Sequence, residues 1–254
     1  MRITNTGQGK VSLLAGGGRC FTDIAARFCH SERSVDDICD TPYSAAIVKG
    51  ILSSGHLAAT EFDYYVFAIE GYSRVTEVQL VRKRLASYLI KSGRAELNGK
   101  RKFSVVLPKN VIEFKYMSSS GREYSTEALL FEQKRLYEAM VDAGISEEDA
   151  RYIKPQATEF KAIIGMNAHA LIDWFAIRCC QNAQHEIRDL ANKMLAECRK
   201  VSPDLFASAG ANCIRLGYCP ENERQNSKCK GHVPTKNDAL RLIKEGWKPC
   251  FFQK

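Results

Sequence analysis

No apolar run in the 254 residues approaches the roughly 20 that a membrane-spanning helix needs, so no membrane segment is expected. The first ten residues are polar and carry no apolar signal core, which argues against secretion and for a cytoplasmic location. Internal repeats and low-complexity tracts are absent. Seven prolines, 17 glycines and a 45% apolar share exclude collagen-like, coiled-coil and disordered classes and leave a globular fold. Histidine is scarce, at 5 residues, so each imidazole is worth placing.

Acidic residues are also in deficit. Twenty-nine Asp and Glu against 37 Lys and Arg leave a formal charge of +8, which suits an anionic ligand or a mildly basic surface. The cations are dispersed apart from Arg82-Lys83-Arg84 and Lys100-Arg101-Lys102. A nucleic-acid stripe would be denser and interleaved with aromatics, so a small phosphorylated ligand is expected instead.

Cysteine is abundant, at 10 residues. Cys20, Cys29, Cys39, Cys179, Cys180 and Cys198 show no pairing pattern and read as free thiols. Cys213-x5-Cys219-x9-Cys229-x2-His232 crowds the C-terminal stretch and offers thiolate and imidazole donors for zinc, with plain free thiols as the alternative.

Periodicity predicts helices over 22–28, 45–52 and 73–84, the last with Val75, Val78 and Val81 on one face. It also predicts a clear amphipathic helix over 126–143, stopped by Gly144, and one long helix over 168–200. Aromatic and β-branched runs predict strands over 64–69, 103–107 and 157–166. The elements alternate irregularly, without a βαβ rhythm, so the expected class is α+β, with long helices packed on a small sheet. The expected division is 1–207 for the main domain and 208–254 for a Cys-rich extension.

Three stretches hold polar residues that a bland fold would not need. Gly55-His56 precedes Glu61. Gln79, Arg82, Lys83 and Arg84 lead to Ser92-Gly93-Arg94, which offers a hydroxyl, a backbone N–H and a guanidinium to a phosphate. Asn167-Ala168-His169 opens the long helix, followed by Asp173 and Arg178; Asn167 and Arg178 bracket Leu171 and Trp174 on one face.

These residues, in this order, resemble the flavin-dependent thymidylate synthases. The matching pieces are Gly55-His56-x4-Glu61, Phe67 to Arg74, Gln79-Leu80-x-Arg82-x-Arg84-x2-Ser87, Ser92-x-Arg94, Asp149-Ala150-Arg151 and Met166-Asn167-Ala168. Gln184-x-Glu186-Ile187-Arg188, Ala209-Gly210-x2-Cys213 and Gly217 to Pro220 extend the likeness, which covers roughly 45–220. The resemblance implies an FAD enzyme, usually a homotetramer with sites between subunits. Its reaction moves a one-carbon unit from methylenetetrahydrofolate to C5 of dUMP, with NADPH as reductant. Gln79, Ser92, Gly93, Arg94 and Arg151 would hold the nucleotide. Arg178 would lie beside the uracil as the catalytic cation. His56, Arg82, Lys83, Arg84, Asn167, His169 and Asp173 would line the FAD.

The chain departs from the family pattern on the flavin side. Lys83 stands for the signature's central His, Leu89 for its Asn and Ala95 for its final Tyr. His169 replaces an Arg, and Asp173 replaces an Asn or His. Two alternatives follow: a paralogue acting on another uracil nucleotide such as UMP, or a nucleotide-binding subunit without catalysis.

Overall fold

The computed structural model describes residues 1–92, 103–221, 229 and 233–248. Along the chain, strands β1 (Arg2–Asn5) and β2 (Lys10–Ala15) precede helices α1 (Phe21–His30), α2 (Val35–Cys39) and α3 (Ala45–Ser54). A short 3-10 helix over Leu57–Phe62 leads into β3 (Tyr64–Ser73), α4 (Arg74–Leu80) and β4 (Ser87–Ile90). Then come β5 (Ser104–Leu107), α5 (Lys109–Ile112), the hairpin strands β6 (Lys115–Met117) and β7 (Glu123–Ser125), α6 (Thr126–Asp142) and α7 (Glu147–Ala150). The remaining elements are β8 (Glu159–Asn167), α8 (Ala168–Arg178), α9 (His185–Val201), α10 (Asn212–Leu216) and α11 (Lys236–Lys244). Helices and small sheets mix without a parallel βαβ series, as the α+β reading expects. One four-stranded sheet has the order β2-β3-β8-β4, and β1 pairs with β5 in parallel.

The chain divides into two compact units. The first comprises 1–10, 68–82 and 88–163. Its core gathers Phe103, Val105, Leu130, Tyr137 and Ala150, with Ile3, Met140 and Val141 packed against them. Helix α6 starts where the Ser125 hydroxyl accepts from the Ala128 N–H at 3.2 Å, a serine cap.

The second unit comprises 11–67, 83–87 and 164–254. Its core is aromatic: Tyr65 meets Phe206 edge-on at 5.2 Å, and Phe206 meets Phe175 at 6.2 Å. The Tyr65 hydroxyl, buried with its ring, donates to Ser202 Oγ at 2.7 Å. Asp63 is the organising polar residue. Its buried carboxylate accepts from the backbone N–H groups of Phe21 and Thr22 and from the Thr22 hydroxyl, capping α1 from a distant part of the chain. Its carbonyl accepts from the Ala168 N–H at 2.7 Å, which ties the same strand entrance to the start of α8.

Two predicted helices differ in extent. The expected helix 168–200 is two helices, α8 and α9, separated at 179–184. The break is built by Gln184, whose side-chain carbonyl accepts from the N–H groups of Glu186 and Ile187 and starts a new helix. The expected helix 73–84 stops at Leu80, where the Tyr88 hydroxyl donates to the Leu80 carbonyl at 2.9 Å. Its buried residues are Thr76 and Leu80; Val75, Val78 and Val81 face solvent.

Candidate functional site

In the second unit, helix α8 brings together several of the expected site residues. Asn167 is its N-cap: Oδ1 accepts from the Ala170 N–H at 2.8 Å, leaving the amide NH2 as the group available to a ligand. His169 sits in the first turn and Asp173 one turn later, so the two share a face. The opposite face anchors the helix through Leu171, Trp174 and Phe175, all at or below 3% exposure.

Both positions have partners. His169 Nδ1 lies 3.1 Å from Glu61 Oε1, on the 3-10 helix that ends just before Asp63. Lys83 Nζ donates to Asp173 Oδ2 at 3.4 Å. The departures at 83, 169 and 173 therefore belong to one ion pair and one hydrogen-bonded contact along one helix face. This changes the meaning of Asp173. Its carboxylate is balanced by the very lysine that replaces the signature histidine.

The three cations of Arg82-Lys83-Arg84 are not on a helix. They follow the end of α4 in irregular chain, where Lys83 is half-buried toward Asp173 and Arg82 and Arg84 are exposed. Neither exposed guanidinium has an ion-pair or hydrogen-bond partner among the described residues. His56 is exposed just after Gly55, whose left-handed backbone at φ 76 ends α3. Arg178 is the last residue of α8, half-buried. Gly165, near the end of β8, leaves room for a ring: a Cβ there would stand 2.6 Å from the Tyr64 hydroxyl.

In the first unit, Gln79 lies on α4 with its amide nitrogen donating to the Val75 carbonyl at 3.3 Å. Arg151 follows α7, its Nε donating to the Glu148 carbonyl at 3.1 Å, with no carboxylate partner among the described residues. Ser92 is exposed after β4. Gly93 and Arg94 lie outside the described residues, as does His232.

Two features escape sequence reasoning. Glu61 is a contact of His169 only because the chain brings residues 108 positions apart together. Trp174 keeps a buried indole N–H without an acceptor among the described residues, a donor that its place on an apolar helix face hides. For the expected zinc set, no three His, Cys, Asp or Glu side chains among the described residues stand in metal-holding geometry.

Comparison with known proteins gives a consistent result. The family described as "Thymidylate synthase complementing protein" matches residues 21–204. A flavin-dependent thymidylate synthase from Nitratidesulfovibrio vulgaris is 41% identical over 187 residues, covering 70% of this chain and 74% of the relative. One from Geobacter sulfurreducens is 37% identical over 201 residues, covering 78% and 84%. Among solved structures, the UMP/dUMP methylase PolB from Streptomyces cacaoi, bound with 5-Br dUMP, superposes with a TM-score of 0.64. It is 18% identical over 82% of this chain and 96% of that one, a likeness of fold. With the family pattern matched across most of its length, the chain belongs to the flavin-dependent thymidylate synthase family of methyltransferases.

Proposed function

We propose that the chain converts dUMP to dTMP, taking the one-carbon unit from methylenetetrahydrofolate and using FAD with NADPH as reductant. Family membership supports methylation of dUMP. The observation that carries the reading of an intact catalyst is the pairing along α8, where Lys83 meets Asp173 in an ion pair and His169 meets Glu61 in a hydrogen bond. A decaying flavin site would leave such substitutions unpartnered.

The donor set fits a dinucleotide carrying a diphosphate. Arg82 and Arg84 present uncompensated guanidiniums, whose planar forks suit phosphate oxygens. Asn167 and His169 lie at the N-terminus of α8, where the helix dipole favours negative charge. These residues, with His56, Lys83 and Asp173, would hold the FAD, and the flavin, reduced by NADPH, supplies a hydride when bound.

The nucleotide falls to other residues. Gln79, Ser92, Gly93, Arg94 and Arg151 bind its sugar and phosphate through charge-assisted hydrogen bonds. Arg178 faces the uracil and stabilises negative charge as C5 becomes nucleophilic, an electrostatic task that needs a fixed cation in a dry site. The reaction requires no nucleophile from the protein; positioning is its main contribution. The assembly implied by this reading is a homotetramer with sites between subunits.

A second reading, action on UMP, is favoured by Leu89, which is exposed on β4 where the family has Asn. Chromatography of the products distinguishes the readings. With dUMP, the one-carbon donor, NADPH and FAD present, dTMP should accumulate, and omission of FAD or donor should stop it. Accumulation of methylated UMP without dTMP would favour the second reading.

A further inference from the structure

Strand β8 alternates, with one exception. Ile164 and Met166 are fully buried toward the core, so positions 159, 161, 163, 165 and 167 point to the other face of the sheet. Of these five outward positions only Gly165 is buried. Tyr64, the first residue of β3, lies over it. A Cβ on Gly165 would meet the phenol oxygen at 2.6 Å, ring Cε1 at 2.9 Å and Cζ at 3.1 Å. The glycine lets the ring cross the neighbouring strand; a glycine inside a strand often marks such a close approach. Beyond it the Tyr64 hydroxyl donates to Ser87 Oγ at 3.4 Å, on β4. The side chain thus reaches from β3 over β8 to β4, and all three residues belong to the second unit.

Restraint here comes without burial. Tyr64 is 49% exposed, whereas the inward-facing Tyr65 and Phe67 are at 1% and 0%. A tyrosine recruited to the core would hide its ring; this one is fixed in direction with ring surface left open. Its neighbours place that surface. The carbonyl of Asp63, one residue earlier, accepts from the Ala168 N–H, so β3 starts beside the first turn of α8. Gly165 and Asn167 share the outward face of β8, about 7 Å apart. Ser87 follows Arg84 by three residues. The open ring therefore lies between the chain that carries Asn167 and His169 and the chain that carries Lys83 and Arg84. The sequence also leaves a role for it, because Lys83 and Ala95 stand where the family signature has a His and a Tyr, two planar side chains.

We propose that Tyr64 is the aromatic contact of the flavin in this chain, its ring stacking against the isoalloxazine, with Gly165 and Ser87 setting the ring's direction. The inference rests on the flavin reading proposed above and adds a binding residue to it. A planar heterocycle is the ligand that an open, restrained ring fits, because offset stacking buries apolar surface on both partners.

Titration of the flavin-free protein with FAD, and with FMN, which lacks the adenine, tests the assignment. Tyr64→Ala should weaken both flavins about tenfold, as loss of one aromatic stack does, and brighten the bound flavin. Tyr64→Phe should keep the affinity to within about twofold, yet also brighten the flavin, since a phenyl ring stacks but does not donate an electron to the excited isoalloxazine. Gly165→Ala should weaken FAD in the presence of Tyr64 and change nothing further in the Tyr64→Ala background, a coupling that a merely structural glycine would not show. Should Gly165→Ala fail to fold, the two Tyr64 variants carry the test, with thermal melts as the control. Unchanged affinity and emission in Tyr64→Ala, while the wild type binds FAD, would overturn the inference and leave the flavin reading standing. Loss of FAD affinity with FMN unaffected would put the ring on the adenine and overturn it as well. A wild type that takes up neither flavin would overturn both.

Discussion

Replacing Asp173 by Asn separates the two roles of the Lys83–Asp173 contact, because stability and cofactor affinity should move in opposite directions. At 3.4 Å the gross attraction is about 5 kcal/mol at an effective dielectric constant of ~20. The Asp173 side chain is 55% exposed, so solvent screening leaves about 1 kcal/mol or less of net stabilisation. Asp173→Asn should therefore lower the melting temperature of the flavin-free protein by about 2–4 °C. The same change removes an anion from the proposed flavin surface and releases Lys83 toward the diphosphate. FAD affinity, followed by quenching of flavin fluorescence, should rise up to about fivefold, the equivalent of ~1 kcal/mol. The gain should shrink as salt rises from 0.1 to 1 M, because the Debye length falls from about 10 to 3 Å. Weaker FAD binding in Asp173→Asn, or a gain indifferent to salt, would refute the reasoning.

Three further outcomes follow from the same structure. Arg178→Ala should weaken dUMP binding about tenfold or more, as loss of a charge-assisted hydrogen bond requires; unchanged affinity by calorimetry would remove Arg178 from the site. Asp63→Ala leaves the first N–H groups of α1 and the Thr22 hydroxyl without their acceptor. It should cost about 3–5 kcal/mol in urea denaturation. Burial pushes the Cys179 thiol up to about 12 and raises Cys198 as well, whereas Cys29 is exposed. Alkylation of the native protein at pH 8 should then mark Cys29 and spare Cys179 and Cys198, because the thiolate is the reactive form and almost none is present far below the pKa.

Local signals carried much of the fold. Helix α6 was legible because Leu129, Leu130, Leu136 and Met140 recur at helical spacing and Gly144 ends the run. The strands β3 and β8 were legible from aromatic and β-branched content. The division of 168–200 was not, because a glutamine acting as N-cap carries a weaker sequence signal than Ser, Asp or Gly. The parallel pairing of β1 with β5 joins residues about a hundred positions apart, which no window of local pattern contains.

The site followed the same rule. Motif order pointed to Lys83, His169 and Asp173 as departures from the family pattern on the flavin side. Only the folded chain shows that Lys83 and Asp173, 90 positions apart, are partners, and that Glu61 meets His169. Charge repair across such separations is invisible to spacing.

The most direct measurement is release of tritium from C5 of labelled dUMP, with methylenetetrahydrofolate, NADPH and saturating FAD, set beside labelled UMP. The account predicts FAD-dependent release from dUMP, matched by dTMP formed, and far less from UMP. Absence of release from dUMP with FAD in excess would contradict it.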